Sequence, residues 1–198
     1  DRAQRAAFRD KLQLAVASGK IAEQAATNTA ILTSVLPEAL VKTSVARRVG
    51  ACHESASATV GIAEIFNFSQ WSQGHLEHSV LAIMHTVMSA FDAAVASAAG
   101  HNELARAVTY GDTYVVCSGL LAPFERHSLA VMRFSHWQLR AAKNLAEVLD
   151  GTPFELRVGV CSGALVGTAV GSTSSSMRYV IAGPAFGVAR EALVNTRA

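Results

Sequence analysis

The order of strand-like and helix-like segments predicts an α+β domain. The expected architecture is a ferredoxin-like βαββαβ antiparallel sheet with its helices on one face, preceded by an N-terminal helix. Three observations carry this reading. Strand-like and helix-like segments follow one another in βαββαβ order from Ala58 onward. Gly111-Asp112, set between two apolar runs, marks a two-residue hairpin. The 198 residues are 51% hydrophobic and only 16% charged, against about 25% charged in an ordinary soluble domain. That composition excludes a disordered chain and supplies a substantial core. Seventeen Lys plus Arg against fifteen Asp plus Glu give a net charge of +2, which offers no electrostatic footprint for nucleic acid.

The first 36 residues are Ala-rich and charged, with no proline. A heptad through Leu14, Ser18, Ile21, Ala25, Asn28, Leu32 and Val35 predicts a helix with a thin apolar stripe. It reads equally as a parallel coiled coil and as a surface helix packed on its own domain. Pro37 interrupts it, and Glu38 to Val45 reads as one more short helix. Ala58 to Phe66 is apolar and β-permissive, and is the first strand. Asn67 to Gln73 reads as a polar turn, with Ser69 and Ser72 as cap candidates. A helix is expected from His75 to Ala99, ended by Gly100-His101-Asn102. Leu104 to Tyr110 and Thr113 to Ser118 are the hairpin strands, and Glu125 to Leu149 the second long helix. Phe154 to Cys161 is expected as a fourth strand and Leu165 to Val170 as a fifth, followed by a Ser-rich loop over 171–176. Met177 to Ile181 reads as a short strand, and Pro184 to Asn195 as a last helix with proline in its first turn.

Both long helices should lie on one sheet face, leaving the other free for a dimer partner or a ligand. Cys52, Cys117 and Cys161 are odd in number and widely spaced, so no disulfide framework or zinc site is expected. Reduced thiols fit a cytoplasmic setting, including the cytosolic domain of a larger membrane protein. The apolar stretch from Ser79 to Gly100 carries His85 and Asp92 and reads as a buried helix rather than a membrane span. His75 and His78 read as a solvated helix start, His127 and His136 as helix-surface residues, and Trp71 and Trp137 as packing residues.

Two acidic residues stand at special places. Glu64 lies near the end of the first strand and Asp112 at the hairpin tip. Strands one and three are neighbours in this topology, so the two carboxylates converge at one sheet edge. A carboxylate pair beside a turn rich in backbone N–H groups suits phosphates bound with Mg²⁺ or Mn²⁺. Asp at a hairpin turn is also ordinary turn chemistry, so the spacing alone leaves the role open.

Several segments together resemble the catalytic domain of class III adenylyl and guanylyl cyclases, in divergent form. Thr59-Val-Gly-Ile-Ala-Glu-Ile-Phe-Asn-Phe-Ser69 is similar to that family's Phe-Ala-Asp-Ile-x-Gly-Phe-Thr segment. Val108-Thr-Tyr-Gly-Asp-Thr-Tyr-Val-Val-Cys-Ser-Gly-Leu120 resembles its Lys-Thr-Ile-Gly-Asp-x-Tyr hairpin, and Leu156-Arg-Val-Gly-Val-Cys-Ser-Gly163 its Leu-Arg-Ile-Gly-Ile-His-Thr-Gly strand. Ile31-Leu-Thr-Ser-Val-Leu-Pro-Glu38 resembles the helix and Leu-Pro element that often precedes the domain. The resemblance divides the chain into a signalling, coiled-coil-like helix with a transducer-like element over 1–50 and a cyclase homology domain over 51–198.

The resemblance implies a two-metal enzyme that closes the ribose 3′-oxygen of ATP or GTP onto the α-phosphate and expels pyrophosphate. Carried over by position, Glu64 and Asp112 fall on the metal ligands. Ile65, Asn67, Phe68 and Ser69 fall on the phosphate-binding turn, and Arg157 on a phosphate-contacting arginine. The departures are patterned. The first metal ligand is Glu rather than Asp, and the turn glycine is Asn67. The base-reading positions are Val108 and Val180, which cannot hydrogen-bond a purine edge. The transition-state positions hold Gly187 and Glu191, unless a slip of one residue recruits Arg190. In this family two domains pair head to tail and share each site. This chain keeps most of the metal and phosphate set and lacks the base-reading and transition-state set. It is expected to be the metal-bearing half of a shared site, weak or inactive alone, with a second cyclase-type domain as partner in a hetero- or homodimer. The alternative is a catalytically inactive pseudocyclase used as a dimerisation or regulatory module.

Overall fold

The computed structural model describes residues 2–35, 52–99, 103–148, 154–171 and 178–195. Five strands form one antiparallel sheet in the order β2-β3-β1-β4-β5. They are β1 (Cys52–Ile65), β2 (Ala105–Tyr110), β3 (Thr113–Ser118), β4 (Leu156–Val170) and β5 (Arg178–Ala182). The first four have the ferredoxin-like order, and β5 extends the sheet beyond β4. The helices are α1 (Arg2–Val35), α2 (Phe68–Gln73), α3 (Glu77–Ala99), α4 (His127–Val148) and α5 (Pro184–Asn195).

The two long helices α3 and α4 share one face. Ile83, Val87, Phe91 and Val95 of α3 meet Val131 and Phe134 of α4 over Tyr114 and Val116 of β3. Among the described residues α3 alone is long and apolar enough to cross a membrane. Its buried side chains Val80, Ile83, Val87, Phe91 and Val95, the last four spaced at i, i+4, i+8 and i+12, form a face turned to the domain core.

The opposite face is not free, contrary to expectation. Ala185, Ala189 and Leu193 of α5 close over Val60, Ile62, Val115, Leu165 and Ile181. Small residues allow this. A Cβ at Gly159 would overlap the Ala189 carbonyl oxygen, and one at Gly167 would overlap the Tyr179 hydroxyl. The sheet buries both faces, so β3 is buried at all six positions.

Other differences have local causes. The expected fourth and fifth strands are one strand, β4: its pairing with β1 shifts register at Ala164, between the Gly163–Ala58 and Leu165–Ser55 pairs, and continues on both sides. β1 starts at Cys52 rather than Ala58, its first residues joined to β4 across an irregularity at 55–58. The polar segment after β1 is a short helix, α2. It is entered through Asn67 in the left-handed region (φ 49, ψ 40) and closed by Gly74. His127 is half-buried at the helix start and reaches the sheet: its Nδ1 lies 2.7 Å from the hydroxyl of buried Thr59, which is itself 2.6 Å from the Ser162 hydroxyl. Trp71 packs beside Phe68, His75 and Phe154, as a packing residue should.

The α1 side chains described, at 11 and 13–31, are all exposed. Leu14 and Ile21 of the heptad are 71% and 66% accessible, so this stretch does not pack on its own domain. The short helix expected over 38–45, the Ser-rich loop over 172–176 and the turns at 100–102 and 150–153 lie outside the described residues.

Candidate active site

The sheet register brings the two acidic residues together. Ala63 of β1 faces Tyr114 of β3, so the last residues of β1 run beside the hairpin that carries Asp112. That hairpin is closed by the Tyr110–Thr113 pair. Gly111 at φ 57 takes its first central position, which a side chain would strain. Asp112 then projects from the tip.

Glu64 and Asp112 line one open cleft of about 360 Å³ with Ile65, Asn67, Phe68, Ser69 and Arg157. Gln70 lines it as well; it lies one residue beyond Ser69, and its residue type alone gives no signal for such a place. Every residue assigned above to metal or phosphate therefore converges on a single depression. The base and transition-state positions do not line it. Val108 is half-buried against the core cluster that includes Val115, Cys117 and Ile181. Val180, Gly187, Arg190 and Glu191 are exposed on β5 and α5.

Two features set the chemistry of the cleft. First, Asn67 accepts hydrogen bonds at its carbonyl from the N–H groups of Gln70 and Trp71. The first-turn amides of Phe68 and Ser69 precede any intrahelical acceptor. Second, Glu64 and Arg157 are directly opposite each other on β1 and β4. Arg157 Nη2 donates to Glu64 Oε1 at 3.0 Å. The same guanidinium lies over the Phe66 ring, 4.3 Å from its centroid. Formal charges in the cleft are two negative and one positive.

The donor set fits a divalent cation of the Mg²⁺ or Mn²⁺ type, since carboxylates and main-chain carbonyls are the hard oxygen ligands such ions take. Glu64 and Asp112 are the residues that would hold it. Among the described residues no group of three or more His, Cys, Asp or Glu side chains gathers at any point. His75 instead bonds the Trp71 carbonyl at 2.7 Å.

A second polar group lies behind β3. Asp92 of α3 receives Arg106 Nη1 at 3.1 Å and the Tyr114 hydroxyl at 2.8 Å. Burial, with Asp92 adding to it, raises the Tyr114 phenol above its usual range. The group ties α3 to β2 and β3 and is distinct from the cleft.

The family model for the adenylate and guanylate cyclase catalytic domain matches residues 51–192, and the chain belongs to that family. It is 24% identical over 161 residues to guanylate cyclase soluble subunit beta-2 of Rattus norvegicus, covering 81% of this chain and 23% of that protein. It is 30% identical over 115 residues to an adenylate cyclase of Mycobacterium tuberculosis, covering 58% of this chain and 25% of that one. The chain thus spans about a quarter of the length of these curated relatives. Its fold matches the catalytic core of a rhodopsin-guanylyl cyclase with converted specificity in complex with ATPalphaS. The TM-score is 0.60 at 20% identity, over 74% of this chain and 76% of that one.

Proposed function

We propose that this domain is the metal- and phosphate-binding half of a shared class III cyclase site, which forms a cyclic nucleotide and pyrophosphate from ATP or GTP. The observation that carries the reading is the convergence of Glu64, Asp112, Arg157 and the 65–70 turn on one cleft that Val108, Val180 and Gly187 do not enter. A divalent cation bound there would supply charge to the attacking ribose oxygen and to the triphosphate. In this reading Glu64 and Asp112 hold the cation. The first-turn amides of α2 and the Ser69 hydroxyl receive phosphate oxygens. Arg157 neutralises charge on the leaving pyrophosphate.

Base recognition and ribose orientation come from a second domain, because Val108 and Val180 offer no hydrogen bond and Gly187 no side chain. Resemblance to the family suggests a head-to-tail partner, and the exposed α1 heptad suits a coiled coil that aligns the two. A cytoplasmic setting follows from the nucleotide substrate.

A second reading, an inactive pseudocyclase serving dimerisation or regulation, is favoured by the Glu64–Arg157 ion pair, which engages the carboxylate that the first reading gives to the cation. Cyclic AMP and cyclic GMP formation with Mn²⁺ separates the two. The purified chain alone should turn over weakly or not at all. Addition of a cyclase domain that carries base-reading and transition-state residues should raise the rate. Robust turnover by the chain alone would contradict the half-site proposal, and no turnover with any complementary domain would favour the pseudocyclase.

A further inference from the structure

We propose that Phe66 and Glu64 hold Arg157 as an exchangeable arm, so that the cleft binds a divalent cation weakly until a polyphosphate draws the guanidinium away. The inference rests on the metal and phosphate reading above. In it Phe66 is a positioning residue, a role its place in the sequence did not suggest.

Three observations converge. Glu64 and Arg157 are cross-strand partners, so the chain directions of β1 and β4 set their ion pair. Their side chains are only 24% and 17% exposed, which weakens solvent screening of the pair. The guanidinium also lies over Phe66. Cation–π attraction has no hydrogen-bond direction. The arginine can therefore turn in its own plane and change acceptors while the ring keeps it at the cleft.

The consequence is competition. With Arg157 on Glu64 Oε1, one ligand oxygen is taken and the guanidinium charge lies against that carboxylate, which lowers its attraction for a dication. A polyphosphate offers the guanidinium several oxygens in the bidentate geometry it prefers. Transfer of Arg157 to phosphate then returns Glu64 to the cation. Coupling of this kind is reciprocal, so occupation of Glu64 by the cation frees Arg157 for phosphate.

The test measures Mn²⁺ binding by electron paramagnetic resonance of the free ion, without nucleotide, for the whole chain, Arg157→Gln and Phe66→Leu. It is paired with calorimetric binding of inorganic tripolyphosphate in a metal chelator for the whole chain and Glu64→Gln. Arg157→Gln should bind Mn²⁺ about tenfold more tightly. Phe66→Leu, which changes no charge, should move in the same direction by a smaller factor. Glu64→Gln should bind tripolyphosphate more tightly. Equal Mn²⁺ affinity in all three chains would overturn the exchange and leave the metal reading intact. A gain in Arg157→Gln with Phe66→Leu unchanged would reduce the effect to long-range charge, and would also overturn it. Absence of Mn²⁺ binding in every chain would overturn both readings.

Discussion

Gly159 of β4 lies directly beneath Ala189 of α5, so closely that a methyl group at 159 would overlap the Ala189 carbonyl oxygen. The opposing group is backbone and cannot rotate away. Gly159→Ala should therefore lift α5 and cost about 3 kcal/mol, as overpacking against a rigid neighbour does. Gly187, on the same helix, has open space around its Cβ position. Gly187→Ala should stabilise by about 0.5–1 kcal/mol through helix propensity. Urea unfolding midpoints of the two variants should move in opposite directions.

Asn67 is the one non-glycine residue among those described with a positive φ. Asn67→Ala should cost about 1 kcal/mol, because alanine has no side-chain means of tolerating the left-handed region. Asn67→Gly should be neutral or better. Thermal melts of both check the sign, and equal melting temperatures would show that α2 is entered by another route.

The buried acids set an alkaline limit. Burial pushes the Cys117 thiol up to about 12, and it raises the Tyr114 and Tyr179 phenols further. A folded pKa above the unfolded value means that the contribution is intact below the unfolded pKa and declines as pH rises toward the folded one. For a thiol the decline starts near about 8.5 and runs to the folded value, at about 1.4 kcal/mol per pH unit. The unfolding midpoint should fall between pH 8 and 10.5, and less steeply in Cys117→Ala. At pH 8 a thiol reagent should modify Cys52 and Cys161 in the folded chain and leave Cys117 untouched.

What the sequence made legible follows from where its signals are local. β3 over Thr113–Ser118 and α5 over Pro184–Asn195 have the predicted bounds, since Gly111 and Pro184 punctuate the chain beside them. The continuity of β4 was hidden, because Ser162-Gly163-Ala164 reads as a break unless the pairing with β1 is known. Element order alone does not say which face a terminal helix takes, and α5 went to the face expected to be open. The contact of His127 with Thr59 was hidden for a similar reason, since the two are 68 residues apart. In the cleft the convergence of Glu64 and Asp112 followed from their places in the expected topology, and residues 65–69 entered only through the resemblance to the cyclase family. The Glu64–Arg157 pair and the Phe66 contact were not, since both depend on strand register and side-chain packing.

The central claim is that Glu64 and Asp112 form one cation-dependent nucleotide site, and its most direct test is equilibrium binding. Calorimetric binding of ATP or GTP to the whole chain would be measured with Mn²⁺, and repeated with chelator, for wild type, Glu64→Ala and Asp112→Ala. The account predicts binding that requires Mn²⁺ and is lost in both variants while their melting temperatures stay near wild type. Nucleotide binding that persists in both variants, or no binding to the wild-type chain at any Mn²⁺ concentration, would contradict it.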